Sequence, residues 1–438
     1  MPAYMACTRN VELYIHVASS DALSTDSFSL PSHSSSGFFF LFPHVWRTSI
    51  LYRTTLFKQV AMFRTNPPYT SNHNSYSTPP EPTMYWNAVY YPNWRIYRDQ
   101  PPASLNFDVL SHVFYAFAWV KPDGTVYLSD EWADSQIPIA GTGDIPETTG
   151  CLNSFALLKK KYTRLRVVLS VGGGGKGSEP FAGVARDPAC RTRFAQSALG
   201  LMQQFNLDGI DIDWEHPSDS RQGEDYVQLL ATIRQYLPAP QYTLTSALPA
   251  GEWALQHINL AHASQYLDLI NLMSYDFSGP WVQKTGHQAQ LYAANAPHSP
   301  EAAISCHSAV SYIVRQGVPP YKVVLGVPAY GRSFTNTRGI GHSYNGTAGE
   351  EGTFEYKDLP RPGATEHVDE QTGAAYCVGG DGGFVTYDNP YTVKLKANYV
   401  RQNGLGGLFY WTGTGDASAH HQKDRSLVYN GFLGLFPS

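Results

Sequence analysis

The sequence predicts a (β/α)8 barrel with a small α+β subdomain inserted between its seventh and eighth strands. From Met84 onward, short apolar segments alternate with longer stretches of helical spacing, and eight such segments can be counted in the 438-residue chain. Eight strands alternating with helices over about 350 residues are typical of a closed parallel barrel. The interval between the seventh and eighth segments is too long for one helix, which predicts the insertion.

The eight candidate strands are short apolar runs, separated by more polar sequence. In chain order they cover residues 87–91, 109–119, 166–171, 209–214, 242–248, 267–275, 322–327 and 407–411. Two of the intervening segments, residues 190–205 and 226–236, carry apolar residues at helical spacing. These two segments are predicted to be helices that connect successive strands.

The predicted insertion is rich in Gly and Tyr and contains several short runs of β-like pattern, at residues 352–356, 374–378 and 383–387. We therefore expect an α+β subdomain over residues 333–385, lying against the mouth of the barrel. The barrel itself is expected to comprise residues 84–332 and 386–438. A wall at the mouth would deepen a cleft for an extended ligand.

Residues 1–83 have a different composition from the rest of the chain. Ser, Thr, Pro and Asn are frequent, no period holds, and residues 69–83 form a polar tract rich in Pro. Such a segment cannot bury enough apolar surface to offset its loss of conformational entropy, so a disordered N-terminal extension is predicted.

The composition argues against two classes of binding partner, nucleic acids and membranes. The net charge is −5 and no long basic run is present, which argues against a nucleic-acid partner. No run of about 20 apolar residues exists, so neither a transmembrane helix nor a membrane partner is expected. We expect a monomer.

The five cysteines are scattered without a CxxC pair, which argues against a disulfide framework or a zinc site and favours a reducing compartment. The apolar run at residues 37–43 is too short and too far from the start for a signal peptide. A cytoplasmic location is therefore favoured, although the sequon at Asn345 leaves an extracellular one open. No metal or other cofactor is expected.

The most informative stretch is DGIDIDWE at residues 208–215, which places Asp211, Asp213 and Glu215 at every second position. In an extended strand these three side chains point to one face. Carboxylates so close together cannot all ionise, so at least one pKa must rise. A carboxyl group that keeps its proton near neutral pH is what a general acid requires.

Two other interpretations of these motifs are open. Alternate carboxylates in a loop could bind Ca²⁺, but the apolar residues Ile210, Ile212 and Trp214 between them favour a buried strand. The glycine run Gly172–Gly175 could cradle a phosphate, but the GxxxxGK[ST] spacing is missing.

The acidic stretch resembles the DxxDxDxE signature of family 18 glycoside hydrolases, the chitinases. Further segments resemble motifs of the same family in the same order, so that six motifs span about residues 87–416: Tyr90-Tyr-Pro-Asn-Trp94, Ser170-Val-Gly-Gly173, Met273-Ser-Tyr-Asp276, Tyr330-Gly-Arg332 and Gly404-Leu-Gly-Gly-Leu-Phe-Tyr-Trp411. Residues 1–83 have no counterpart in the family. The overall pattern is similar to the fungal, bacterial-like subgroup with an α+β insertion.

The resemblance implies endo-type hydrolysis of β-1,4-linked N-acetylglucosamine in chitin and its oligomers, by a retaining, substrate-assisted mechanism. Glu215 would protonate the glycosidic oxygen and later activate water. Asp213 would orient the substrate's acetamido group, Asp211 would tune Asp213, and Tyr275 would donate its hydroxyl to the acetamido oxygen. Asp208 would bind backbone near the start of the strand.

The resemblance also implies a set of residues that contact the sugars. Trp411 would form the floor under the reactive sugar, Trp281 would lie on the leaving-group side, and Ser170 would bond to Asp211. The remaining expected substrate-binding residues are Tyr90, Phe117, Gly173, Met273, Asp276, Tyr330 and Arg332. For Arg332, pairing with a surface acid is the alternative.

The chain departs from the family pattern at two positions. Gly174 stands where the family often has Trp, which removes an aromatic contact on the leaving-group side. His216 stands where Tyr usually follows the catalytic Glu; we expect its side chain to alternate away from the acid face. Two other functions share these motifs: an endo-β-N-acetylglucosaminidase that acts on N-glycans, and a catalytically weak chitin-binding lectin.

Overall fold

The structure is a computed structural model that describes residues 85–437, except residues 296, 298, 300, 419 and 420. The extension predicted at residues 1–83 lies outside the described residues. In chain order the strands are β1 Trp86–Pro92, β2 His112–Val120, β3 Val126–Leu128, β4 Pro138–Ile139, β5 Thr148–Thr149, β6 Arg166–Gly172, β7 Gly209–Asp213, β8 Thr243–Pro249, β9 Leu269–Met273, β10 Val323–Pro328, β11 Tyr330–Phe334, β12 Thr353–Glu355, β13 Ala364–Asp369, β14 Ala374–Gly379, β15 Gly383–Tyr387 and β16 Gly407–Trp411.

Eight of these strands form the predicted parallel barrel. Around the ring the order is β1, β2, β6, β7, β8, β9, β10 and β16, and the pairing of β16 with β1 closes it. The candidate strands of the sequence analysis are confirmed. The largest difference is at the second strand, which begins at His112. Val109 instead lies in a turn, since its amide donates to the Asn106 carbonyl and its own carbonyl accepts from the Asn87 side chain.

The predicted helices also form, with starts set by side-chain caps. The helix Pro188–Gln204 begins after Asp187, whose carboxylate accepts from the amides of Ala189 and Cys190. The helix Ser220–Tyr236 begins after Asp219, which caps it in the same way. The other α-helices are Cys151–Lys161, Phe181–Arg186, Glu252–Leu255, Leu260–Tyr266, Cys306–Arg315, Pro390–Gln402 and Leu427–Leu435. Among the described residues, no helix is long and apolar enough to cross a bilayer.

The alternation of side chains along the strands separates two apolar clusters. One set, which includes Tyr90, Phe114, Val168 and Phe409, fills the inside of the barrel. The neighbouring residues along the same strands join the larger cluster that includes the surrounding helices. On β7 the inward set is acidic, so polar groups replace apolar ones in that part of the interior.

The insertion between β10 and β16 forms a five-stranded antiparallel sheet in the order β12, β11, β15, β14, β13. This confirms an inserted subdomain. The β-like runs of the sequence predicted β12, β14 and β15 but not β11 and β13. Strand β11 follows β10 after a single residue, and β13 alternates between half-buried and exposed residues without an apolar run. The boundaries at residues 333 and 385 stay a prediction.

Candidate active site

Strand β7 carries two acids into the barrel and a third to its mouth. Ile210 and Ile212 have no exposed surface and pack with the outer apolar cluster. Asp211 and Asp213 therefore point to the interior. The strand ends at Asp213, and Glu215 lies just beyond it. This burial agrees with a strand interior and not with an exposed Ca²⁺-binding loop.

Asp211 accepts four hydrogen bonds. The hydroxyls of Tyr90 and Ser170 donate to its Oδ2 at 2.9 and 2.8 Å. Thr245 and Asn271 donate to its Oδ1 at 2.6 and 3.3 Å. Burial raises the pKa of Asp211, while these four bonds oppose the rise. The bond expected from Ser170 is confirmed.

Asp213 differs from Asp211 in its hydrogen bonds. It is 4 % exposed, and its Oδ1 has no hydrogen-bond partner among the described residues. Burial raises the pKa of Asp213 well above its usual range, and the charges of Glu215 and Asp211 raise it further. Of the two inner acids, Asp213 is therefore the one expected to hold a proton, because Asp211 has donors to stabilise its charge.

Glu215 is held at its backbone by a residue that the sequence analysis missed. Its amide donates to the Ser178 hydroxyl oxygen at 2.8 Å, and that hydroxyl donates to the carbonyl of Gly173 at 2.8 Å. Burial, followed by the charge of Asp276, raises the pKa of Glu215 to about 7. Ser178 lies in a loop, where no periodicity could have indicated this contact.

His216 does not turn away from Glu215, so that expectation is wrong. Its Nε2 lies 3.8 Å from Oε2 of Glu215, and its side chain is 9 % exposed. The two-residue alternation fails here because β7 has already ended at Asp213. Burial lowers the pKa of His216 to about 4, so the ring is neutral at neutral pH.

Asp276, Tyr330 and Arg332 form one network beside Glu215. The Tyr330 hydroxyl and the Arg332 Nε each donate to Oδ1 of Asp276 at 2.6 Å. The Arg332 guanidinium lies 4.5 Å from the centre of the Trp281 ring and is 2 % exposed. Arg332 thus pairs with an acid of the site and not with a surface acid, and it faces Asp276 and Trp281.

Aromatic rings line the mouth on the side of β16, β1 and β2. Trp411 at the end of β16 lies 5.5 Å from the Tyr90 ring and stacks on Phe117 at 5.8 Å. Trp94 joins them at 6.2 Å from Phe117. Trp94 belongs to a motif noted in the sequence, but no role was predicted for it. These rings form an apolar floor at the mouth, and the binding of a sugar on Trp411 stays a prediction.

The remaining predicted site residues also lie at this mouth. The Tyr275 ring stands edge-on to Tyr330 at 6.3 Å, and both Tyr275 and Met273 pack against the inner apolar cluster. Gly173 has φ +83°, and a Cβ there would lie 2.7 Å from the ring of Phe117. A side chain at this position would therefore collide with the floor.

Asp208 takes no part in this cluster. Its Oδ2 accepts from the amide of Val167 at 2.7 Å and pairs with Lys159 at 2.7 Å. The backbone bond expected at the start of the strand is confirmed. Asp208 stabilises the pairing of β6 and β7 at the end opposite to Glu215.

The arrangement provides one carboxyl group with a pKa near neutrality at the barrel mouth. Behind it lies a second carboxyl group that favours the protonated form. Asp276, the other acid nearby, is occupied by Tyr330 and Arg332. The site can therefore donate and accept a proton beside an aromatic floor.

Residues 87–416 match the family described as Glycosyl hydrolases family 18. Chitinase 1 of Aphanocladium album is 38 % identical over 366 residues, which cover 80 % of this chain and 85 % of that protein. Endochitinase 1 of Metarhizium robertsii is 38 % identical over 360 residues, which cover 78 % of this chain and 84 % of that protein.

Solved structures agree with this assignment. The Ostrinia furnacalis Group IV chitinase superposes with a TM-score of 0.71 at 26 % identity, over 80 % of this chain and 98 % of that one. The family 18 chitinase of Cycas revoluta in complex with (GlcNAc)3 gives a TM-score of 0.68 at 25 % identity, over 79 % of this chain and 98 % of that one.

Proposed function

This chain belongs to family 18 of the glycosyl hydrolases, and we propose that it cleaves β-1,4 bonds between N-acetylglucosamine units within chitin and chitooligosaccharides. The chain is a glycoside hydrolase of the chitinase type. Endo-type cleavage agrees with relatives named endochitinase and with the inserted sheet beside the barrel mouth. The observation that carries the proposal is Glu215, whose pKa of about 7 leaves it able to donate a proton at neutral pH.

In the first step, Glu215 donates its proton to the glycosidic oxygen as the bond from that oxygen to the anomeric carbon breaks. The carbonyl oxygen of the substrate's own 2-acetamido group attacks the anomeric carbon and gives an oxazolinium intermediate. Glu215 then accepts a proton from the water that opens this intermediate. Two inversions leave the configuration unchanged, and the leaving sugar departs with the proton from Glu215.

Asp213 and Tyr275 hold the acetamido group for that attack. The Oδ1 of Asp213, which has no partner among the described residues, is an acceptor suited to the acetamido N–H. Burial raises the pKa of Tyr275, so its phenol remains a donor for the acetamido oxygen. Asp211 stays behind Asp213, where it accepts four hydrogen bonds.

The aromatic floor binds the reactive sugar. Trp411, with Tyr90 and Phe117 beside it, offers an apolar surface on which the C–H face of a pyranose stacks. Arg332 acts through Asp276 and Trp281, since its own guanidinium is buried. Tyr330, bonded to Asp276, closes this side of the reactive subsite.

The test is hydrolysis of colloidal chitin and of chitohexaose by the protein and by Glu215→Gln. The variant should lower kcat by at least about 10²- to 10⁴-fold, because general acid–base catalysis is lost. Glu224→Gln is the matched control, since Glu224 is exposed on the outer helix Ser220–Tyr236. Proton NMR of the first products should show the β-anomer.

Three results would contradict the proposal. Initial formation of the α-anomer would exclude retention. Equal inertness of both proteins, with chitohexaose still bound, would indicate a lectin. Cleavage of a high-mannose glycoprotein in preference to chitohexaose would indicate an enzyme of N-glycans.

A further inference from the structure

Trp253 is a large exposed aromatic at the barrel mouth that the reaction described above does not use. It lies in the short helix Glu252–Leu255, which follows β8, and 55 % of its surface is exposed. Isolated exposed aromatics are ordinary on protein surfaces. The position of this one relative to the catalytic acid is what requires an explanation.

The ring order of the barrel places Trp253 opposite the aromatic floor. The floor is built on β16, β1 and β2, which are consecutive and centred on β1. In the closed ring β8 is the strand farthest from β1, because three strands separate them in either direction. The loops after β7 and β9, on either side, carry Glu215 and Trp281.

This geometry assigns the two halves of the mouth to the two sides of the cleaved bond. A sugar on the Trp411 floor has the leaving group on its far side, beyond Glu215. A sugar of the leaving group therefore enters the arc of β7, β8 and β9. Trp253 is at the middle of that arc.

A chain of contacts connects Trp253 with the catalytic acid. Its ring meets the His216 ring edge-on, with 5.3 Å between the ring centres and an angle of 78°. His216 in turn lies 3.8 Å from the Glu215 carboxyl group. Trp253 is therefore separated from Glu215 by the His216 side chain, and more than half of its own surface is exposed.

The loop after β6, on the far side of β7, contributes no side chain at Gly174 or Gly175. The exposed Trp253 indole presents apolar surface that a ligand can cover. The C–H face of a pyranose has the size and chemistry to do so.

We propose that Trp253 is a stacking platform for an N-acetylglucosamine unit of the leaving group, held in place by its contact with His216. This inference rests on the proposed function, because it presumes a chitooligosaccharide that spans the catalytic acid. It supplies an aromatic contact on the side where Gly174 provides none.

The test compares substrates with and without leaving-group sugars. Chitohexaose places sugars on both sides of Glu215, whereas β-chitobiosyl fluoride has a single atom as its leaving group and cannot reach Trp253. In Trp253→Ala, kcat/KM for chitohexaose should fall about tenfold, the loss expected for one aromatic stacking contact. The kcat/KM for β-chitobiosyl fluoride should stay within about twofold of that of the unaltered protein. The pH profile of kcat/KM for the fluoride should not change.

Trp253→Phe should recover most of the loss, because it keeps an aromatic face. Tyr321→Ala is the control, since Tyr321 is 46 % exposed but lies just before β10, at the end of the barrel away from the mouth. A fall in Trp253→Ala that is equal for both substrates would mean that the ring acts through His216 on Glu215. No fall for chitohexaose would also overturn the platform.

Binding separates this inference from the proposed function. Chitohexaose is titrated by calorimetry into Glu215→Gln and into Glu215→Gln with Trp253→Ala. Suppose that the unaltered protein does not cleave chitohexaose, while Trp253→Ala still weakens its binding about tenfold. This pair of results would contradict the proposed function and leave the stacking platform intact. Equal binding by the two variants would contradict the platform alone.

Discussion

Ser178 should control the position of Glu215, and its replacement by Ala is a direct test of the site geometry. The single hydroxyl accepts from the Glu215 amide and donates to the Gly173 carbonyl, both at 2.8 Å, in a residue that is 8 % exposed. Removing it leaves a backbone donor and a backbone acceptor without these partners. It also removes the hydroxyl bridge between Gly173 and Glu215, although the Gly173 amide still donates to the Asp213 carbonyl at 2.9 Å.

The size of the effect follows from these two bonds. Each is worth about 0.5–1.5 kcal/mol net, and a buried group left without a partner costs about 1–3 kcal/mol, so Ser178→Ala should lower the free energy of unfolding by about 2 kcal/mol. Where Glu215 shifts by about 1 Å, kcat should fall up to about 100-fold, because proton transfer depends steeply on position. The KM for chitohexaose should change little, since Ser178 does not face the floor.

The chain offers a matched control in Ser197. Its hydroxyl likewise bridges two backbone groups, accepting from the Val126 amide at 2.9 Å and donating to the Arg193 carbonyl at 2.7 Å, but far from the mouth. Urea unfolding and steady-state kinetics are measured for both variants and for Ser178→Thr, which keeps the hydroxyl. A wild-type kcat in Ser178→Ala, or an equal loss of kcat in Ser197→Ala, would refute a positioning role.

Two further predictions concern charge. The kcat/KM of the protein should fall as pH rises through about 7, where Glu215 loses the proton that it must donate. In Asp276→Asn this fall should move to lower pH, because the charge of Asp276 is one of the two causes that raise the pKa of Glu215. A pH profile of kcat/KM that does not move would contradict the effect of Asp276 on Glu215. Asp208→Asn should lower the free energy of unfolding by about 1 kcal/mol through loss of its pair with Lys159, with kcat unchanged; a loss of kcat without loss of stability would place Asp208 in the chemistry.

The fold and the acids of the site could be predicted because their signals are local. Eight short apolar runs predict strands wherever they occur in space, and alternation on β7 sends Asp211 and Asp213 to one face. The failures also have local causes. His216 was assigned by extending the alternation past Asp213, where the strand ends, and β13 escaped notice because a sheet exposed on one face carries no apolar run.

The sequence by itself determined the barrel, the inserted subdomain and the row of acids on β7, because strand periodicity and residue chemistry do not depend on distant partners. Only the tertiary structure decided the surroundings of each acid. Asp211 is bonded by side chains from β1, β6, β8 and β9, whereas Asp213, two residues away, has an oxygen without a partner among the residues that the structure describes. Ser178 and Trp253 come close to Glu215 from separate loops. The pKa of a buried group depends on which atoms surround it, and closure of the barrel is what brings those atoms together.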